Sequence, residues 1–528
     1  MKHNALKKVI YLLFVVLFVV STTTVSIQAD TQPLYTQPTE TEDLDPLVDI
    51  SVTVTIKEIR AFDTIDIVTD PDFYVKVFIN DNEYTSPIWY NQQYVKEPWE
   101  ATCNVPDDEE WVQVKIQLFD WNLGLDKLCD ISNYHQSLTD NYDVGLQYNI
   151  KTGHWIGDDC TSPDNNMMDI SGYGRLNGCD DNTIYEEDRD CEVLFDITQT
   201  DPDGDGIPYW TETNIYGTDP ELDNTGEDAD ADGVPIEWEH KWGYELWYDY
   251  HEDTYGHYWF YYPFEWEDHK HLDPDNDGLD NVEEYLTSQW GSDPFRQDIF
   301  LELDQMEIGP NGEGNFIPEN SKEMLRDAYA KHNIFFHIDD GSMGGGETYP
   351  FDESLSFDEI QEIYWEYFMH EDPDNWRRGV FHWGIISYHS DYYHGFAFPS
   401  FVENRSTALD CFHIATKEHE VIPFKYPILR IISRKSLNKQ YHRELIYASA
   451  MMHETGHVLG IFYDNTPGCD NQTGKFPWEK DWWVWRNYKS CMNYGWMYTI
   501  VDYSDGSRGQ NDFDDWGRID LTAFQNEH

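Results

Sequence analysis

Residues 451–464 read MMHETGHVLGIFYD, and the C-terminal half of the chain is read outward from this run. His453 and His457 are four residues apart, which puts both imidazoles on one face of an α-helix, one turn from each other. Two nitrogens so placed can reach one Zn2+, and Glu454 projects beside them as a base for a water molecule. Gly460 lets the helix stop and the chain turn back beneath the metal. An ordinary amphipathic helix with satisfied histidines is the plain alternative. Two histidines, the glutamate and the glycine together in so short a run argue against it.

Working outward, a long helix is expected from about 440 to 460. DIFLELDQM (298–306), NIFFHID (333–339) and RGVFHWGIISY (378–388) read as strands, and GFAFP (395–399) as an edge strand. NSKEMLRDAYAKH (320–332) reads as a helix opened by a capping box of Asn320 and Glu323. A strand–helix–strand unit implies parallel strands joined by a right-handed crossover. Residues 296–528 are therefore expected to form one α/β domain.

YKSCMNYGW follows at 488–496. H-E-x-x-H-x-x-G followed by S-x-M-x-Y resembles the metzincin clan of zinc endopeptidases over about 230 residues of this chain. The resemblance implies a zincin-type catalytic domain that hydrolyses protein or peptide substrates. It also implies a methionine turn at Met492 under the metal, and Tyr494 moving between the zinc and the oxyanion. Substrate would lie extended along the edge strand near Gly395–Pro399. The clan's third ligand stands where this chain has Tyr463. A carboxylate is a competent zinc ligand and a neutral phenol is poor, so Asp464, one residue late, is expected to take the role. Asp470 and Tyr463 are the alternatives. Cys469 and Cys491 are near enough in sequence to suggest a disulfide that pins the intervening loop. The aspartate-rich stretch 501–521 reads as solvated surface, and the sequons at Asn404 and Asn471 suggest exposure.

The middle of the chain carries three copies of one template: DPDGDGIPYWTE (201–212), DADADGVPIEWE (228–239) and DPDNDGLDNVEE (273–284). Each has Asp at positions 1, 3 and 5, Gly at 6, an apolar residue at 7 and Glu at 12. This is the oxygen-rich, EF-hand-like pattern that wraps Ca2+. The expected ligands are Asp201, Asp203, Asp205 and Glu212; Asp228, Asp230, Asp232 and Glu239; and Asp273, Asp275, Asp277 and Glu284. With YGTDP (216–220) and WGSDP (290–294) after the first and third loops, the region resembles thrombospondin type 3 repeats. Residues 199–295 then read as a calcium-stiffened spacer that depends on the ion for folding. The aromatic- and histidine-rich segment 247–272 is expected to serve packing, with a carbohydrate-binding face or a metal site as the alternatives.

Upstream, residues 47–198 alternate apolar and polar side chains between turn clusters, as a β-sandwich does. DPDFYVKV (70–77) and LFDWNLGLD (118–126) resemble the calcium loops of C2-type domains. That resemblance implies ligands at Asp63, Asp72, Asp120, Asn122 and Asp126. Residues 1–30 have the charged start and short apolar core of a signal peptide, and 31–46 read as a linker or pro-segment. Eight cysteines without a C-x-x-C pair suit an oxidising compartment, so the chain is expected to be secreted, or held at the cell surface. With 101 acidic against 34 basic residues, a formal charge of −67 argues against nucleic acid and against docking on anionic lipid. The same charge calls for bound divalent cations. The overall expectation is a multidomain protein: an N-terminal all-β, C2-like sandwich, a calcium-loop spacer and a C-terminal α/β zincin domain, holding Zn2+ and Ca2+. Oligomeric state is not legible.

Overall fold

A computed structural model describes residues 48–62, 64–66, 69–132, 142–158, 168–169, 174–181, 189–249, 254–259, 261–390, 395–398, 411–417, 419 and 439–523. The expected signal peptide and linker, together with Asp63, Cys160 and Asn404, lie outside the described residues. Among the described residues no helix is long and apolar enough to cross a membrane.

The N-terminal region is built from two antiparallel sheets. In the first, strand Ser51–Ala61 pairs along its length with Cys191–Gln199, the last strand of the region, and on its other side with Trp99–Asn104 and Tyr94–Val95. In the second, Phe73–Ile79 pairs with Trp111–Asp120, which pairs in turn with Val144–Asn149. The alternation read in WVQVKIQLFD becomes a buried face of Val112, Val114, Ile116 and Leu118, because successive side chains leave a strand on opposite faces.

Each of the three acidic loops is followed by a short helical stretch, at Tyr209–Thr211 with Glu212–Tyr216, at Ile236–Trp242 and at Asn281–Thr287. Val234, Trp238, Trp242 and Tyr261 form a small core between them. The region is packed rather than a free spacer: the Thr211 hydroxyl donates to the Lys151 carbonyl at 2.8 Å, and His240 Nε2 meets the Thr152 carbonyl at 3.0 Å. Part of the aromatic segment forms a hairpin of Tyr244–Asp249 with Thr254–Trp259.

The C-terminal region is α/β. Its main sheet runs in the order Phe335–Asp339, Asp298–Met306, Phe381–Ser387, Cys411–Ala415, Gly395–Phe398. The first four strands are parallel and the last is antiparallel, at the edge. Asp298–Met306 is buried almost without a break, as a central parallel strand covered on both faces must be. Helix Lys439–Val458 buries Tyr447, Ala448, Met451 and Met452 in the core that the sheet shares with helix Glu319–Ala330. That second helix starts at Glu319 with Pro318 before it and no side-chain cap, so the expected Asn320–Glu323 capping box is not formed. Glu323 faces Arg60 instead.

Candidate metal centre

Both histidines of the opening motif are buried on the long helix, and each is held through Nδ1. His453 Nδ1 lies 2.9 Å from the carbonyl of Cys491, and His457 Nδ1 lies 2.7 Å from that of Ile461. The second contact exists because Gly460 takes φ +87° and turns the chain back under its own helix. Donation through Nδ1 fixes the tautomer and leaves each Nε2 lone pair pointing into the space between the rings.

The carboxylate that meets those nitrogens belongs to Asp470. Its Oδ1 lies 3.3 Å from His453 Nε2 and its Oδ2 lies 3.5 Å from His457 Nε2. Asp464, the expected third ligand, is exposed, as is Tyr463 at 62%. The chain reverses after Gly460 and carries both outward, then brings Asp470 back, where its amide donates to the Met492 carbonyl at 3.0 Å. Burial works against the Asp470 charge, while the two imidazoles, when protonated, hold the carboxyl far below its usual range. Oδ1 is buried and has no hydrogen-bond partner. Two imidazole nitrogens and one carboxylate converge without hydrogen bonds to satisfy them all, a donor set that fits a tetrahedral divalent cation such as Zn2+.

Glu454 sits beside the pair and is 4% exposed. Burial raises its carboxyl above the usual range, against the pull of the His453 and His457 imidazoles. The carboxylate accepts the Ala397 amide of the edge strand, and a Cβ at Gly395 would collide with it. Met492 is fully buried against the same helix, where a Cβ at Gly456 would come within 2.5 Å of its sulfur. The Tyr494 phenol is bonded to Asp470, and burial beside the Asp470 and Glu454 carboxylates raises it strongly. The turn at 491–494 therefore supports the site three times, through the Cys491 and Met492 carbonyls and the Tyr494 hydroxyl. Cys469 and Cys491 are buried thiols and not a disulfide. Cys469 instead joins His457 and Asp470 in one potential metal-ligating group. Asn471 is only 9% exposed, against the surface position its sequon suggested.

The three acidic loops have the conformation their template calls for. Gly206, Gly233 and Gly278 at position 6 all take positive φ, and their amides donate to the first aspartate of the loop, Asp201, Asp228 and Asp273. Asp201 Oδ1, Asp203 Oδ2, Glu212 Oε2, both Asp230 oxygens, both Glu239 oxygens, Asp275 Oδ2 and both Glu284 oxygens are buried without a partner. Burial pushes Glu212 to about 8 and Glu239 to about 10, with the neighbouring aspartates adding to the rise. A divalent cation would resolve that conflict, because it would offset the mutual repulsion and supply the missing partners. Each loop is also closed from outside, in a way its own sequence does not announce. Asn224, Glu267 and Asp298 donate their amides to the fifth-position aspartates Asp205, Asp232 and Asp277. Backbone donors of that kind leave no residue signature.

At the C2-like loops a different cation is already in place. Lys127 Nζ donates to Asp66 Oδ1 at 2.6 Å and to Asp120 Oδ2 at 3.1 Å. Asn122 Nδ2 also bonds Asp120, Asp72 accepts the Asn91 amide and the Tyr74 hydroxyl bonds Asp126. Asp72, Asp120 and Asp126, the described carboxylates among the expected calcium ligands, are thus engaged within the protein.

No protein-family model matches the chain, and no curated protein matches it. Several solved structures are similar over less than a third of its length. One described as "Structure of a C2 domain" is 13% identical, with 29% of this chain and 98% of that chain covered, at a TM-score of 0.17. A C2 domain of plant Extended Synaptotagmin 1 is 11% identical, with 28% of this chain and 95% of that chain covered, at 0.17. Human GIVD cytosolic phospholipase A2 is 12% identical, with 29% of this chain and 16% of that chain covered, at 0.16.

Proposed function

We propose that the chain is a zinc-dependent endopeptidase, exported and stiffened by Ca2+. One observation carries the reading: His453 Nε2, His457 Nε2 and the Asp470 carboxylate converge beside Glu454. A bound Zn2+ supplies Lewis acidity toward water and toward a scissile carbonyl. His453, His457 and Asp470 would hold it, with the imidazoles pre-oriented by the Cys491 and Ile461 carbonyls. Glu454 accepts a proton from the attacking water and returns it to the leaving amine, a task that suits a buried carboxylate with a raised pKa. Tyr494, released from Asp470, donates its O–H to the oxyanion. The edge strand Gly395–Phe398 passes over Glu454 and offers backbone groups to an extended peptide.

A second reading has at least equal support: a non-catalytic, calcium-dependent surface or adhesion protein with a vestigial protease domain. The loops carry more unpartnered buried carboxylate than the histidine site does. Glu454 is already paired with the Ala397 amide, as a purely structural carboxylate would be. Hydrolysis of casein by the calcium-loaded full chain, run beside Glu454→Gln with zinc content measured in both, separates the two. The enzyme reading expects the variant to keep zinc and lose activity by about 10³-fold. Zinc in both proteins with cleavage in neither hands the function to the second reading.

A further inference from the structure

The second acidic loop differs from the other two in what completes it. Asp232 and Glu239 of that loop come together with Glu267 and His269 of a later segment, and the four offer ligand atoms that all lie within 4.8 Å of one another. Glu239 is 0% exposed, and neither of its carboxylate oxygens has a partner. Glu267 donates its amide to Asp232 and leaves its own Oε2 buried and unpartnered. His269 is also 0% exposed. Its Nε2 has no hydrogen bond and lies 3.2 Å from Asp232 Oδ2 and 3.9 Å from Glu239 Oε1.

The imidazole is locked in that orientation. Tyr261 and Trp238 meet its ring edge-on, with centroids at 4.8 and 5.8 Å. Behind it, Nδ1 lies 2.9 Å from the Asn281 amide nitrogen, while the Asn281 oxygen is buried without a partner. Turning that amide over would let its oxygen accept Nδ1–H. The Nε2 lone pair is then directed into the carboxylate cluster, the arrangement that a hydrogen-bond partner on the far nitrogen imposes on a ligating histidine.

Ca2+ takes oxygen ligands, whereas an imidazole nitrogen among carboxylates suits Mn2+ or Zn2+. At the first loop the closing segment brings Asn224, and at the third it brings Asp298, whose carboxylate takes up the His337 Nε2 at 2.6 Å, so that imidazole is already partnered and not free as His269 Nε2 is. We propose that the second loop holds a transition-metal dication through Asp232, Glu239, Glu267 and His269 Nε2, while the first and third loops hold Ca2+. This site is separate from the one that His453 and His457 form, and it does not depend on the endopeptidase reading.

The test is three-pulse electron spin-echo spectroscopy on the full calcium-loaded chain with one equivalent of Mn2+. It is done in a His453→Gln/His457→Gln background, which removes the other imidazole pair. The ¹⁴N modulation of one imidazole is expected in that background. His269→Gln is expected to abolish it and to weaken Mn2+ binding by about tenfold or more. Mn2+ bound without ¹⁴N modulation, modulation that survives His269→Gln, or failure to bind Mn2+ beside Ca2+ would overturn the proposal. If His269→Gln does not fold by far-UV circular dichroism, Glu267→Gln decides. Weaker Mn2+ binding with the modulation kept supports the site, and unchanged affinity overturns it.

Discussion

Asp470 reaches the histidine pair by adopting a left-handed backbone at φ +52°, a conformation that aspartate tolerates better than most residues. If it is the third ligand, Asp470→Asn should weaken zinc binding by more than the roughly 10–100-fold cost of losing an outer partner. Asp464→Asn should leave the affinity unchanged, because that side chain is exposed. Competition titration against a zinc chromophore reads both. A result in which Asp464→Asn is the damaging change would reverse the assignment. His453, Glu454 and His457 were legible in the sequence because their geometry is local, set by one helical turn. Asp470 was legible only as an alternative to Asp464, because its place depends on a loop that leaves the site and is returned by a backbone bond to Met492. Counting from the first histidine assumes a tighter return than this chain makes.

At the scale of elements, the long helix and the turn at 491–494 act as one unit. Glycine inside a helix costs about 1 kcal/mol against alanine, so Gly456 in the middle of the motif needs a reason. The reason is close packing: a Cβ there would sit 2.5 Å from the Met492 sulfur and 3.0 Å from the Tyr503 hydroxyl. Gly456→Ala should therefore destabilise by about 1–3 kcal/mol of overpacking, offset in part by the gain in helix propensity, and should lower zinc occupancy. Thermal unfolding and metal analysis check it; a variant as stable as the parent would show that the turn yields without cost. The strands at 298–306, 333–339 and 378–388 were legible from apolar runs. Cys411–Ala415 was not, being only five residues long and lacking a clear alternation. The third acidic loop bears on this sheet directly, because Asp277 Oδ2 accepts the amide of Asp298, the first residue of the central strand, at 2.7 Å. Calcium removal at neutral pH should loosen that anchor. In differential scanning calorimetry, EGTA is expected to lower the melting temperature of the α/β region as well as of the loops. An α/β transition indifferent to EGTA would mean that the anchor holds without the cation.

At the scale of the whole molecule, the excess of acidic residues makes the few buried cations decisive. Arg60, on the first strand of the N-terminal region, is 4% exposed and is ringed by carboxylates. Its guanidinium lies 2.8 Å from Glu323 and 2.9 Å from Asp327 on helix Glu319–Ala330, 2.9 Å from Glu58 and 3.4 Å from Glu192. Lys96 and Arg326 each reach Glu323 at 2.6 Å. Sequence could not reveal this, since a pair so far apart along the chain has no spacing rule, and Glu323 read as half of a capping box. Burial alone would raise the Glu323 carboxyl, but Arg60, Arg326 and Lys96 hold it at about 2 against a usual 4.5. A carboxyl lowered on folding adds stability that is present above its unfolded value and is lost as pH falls toward the folded one. For Glu323 alone that is about 3 kcal/mol, lost between roughly pH 4.5 and 2. Asp327 and Glu58, both raised by burial against the pull of Arg60, titrate in the opposite sense, so the raw acid profile mixes the two. The difference between the parent and Glu323→Gln isolates the Glu323 contribution. Urea unfolding should give a variant less stable than the parent at pH 6, with the gap closing as pH falls below 4.5. A gap constant down to pH 3 would mean that Glu323 titrates alike in the folded and the unfolded chain, and that the link between the N-terminal strand and the helix rests on Asp327.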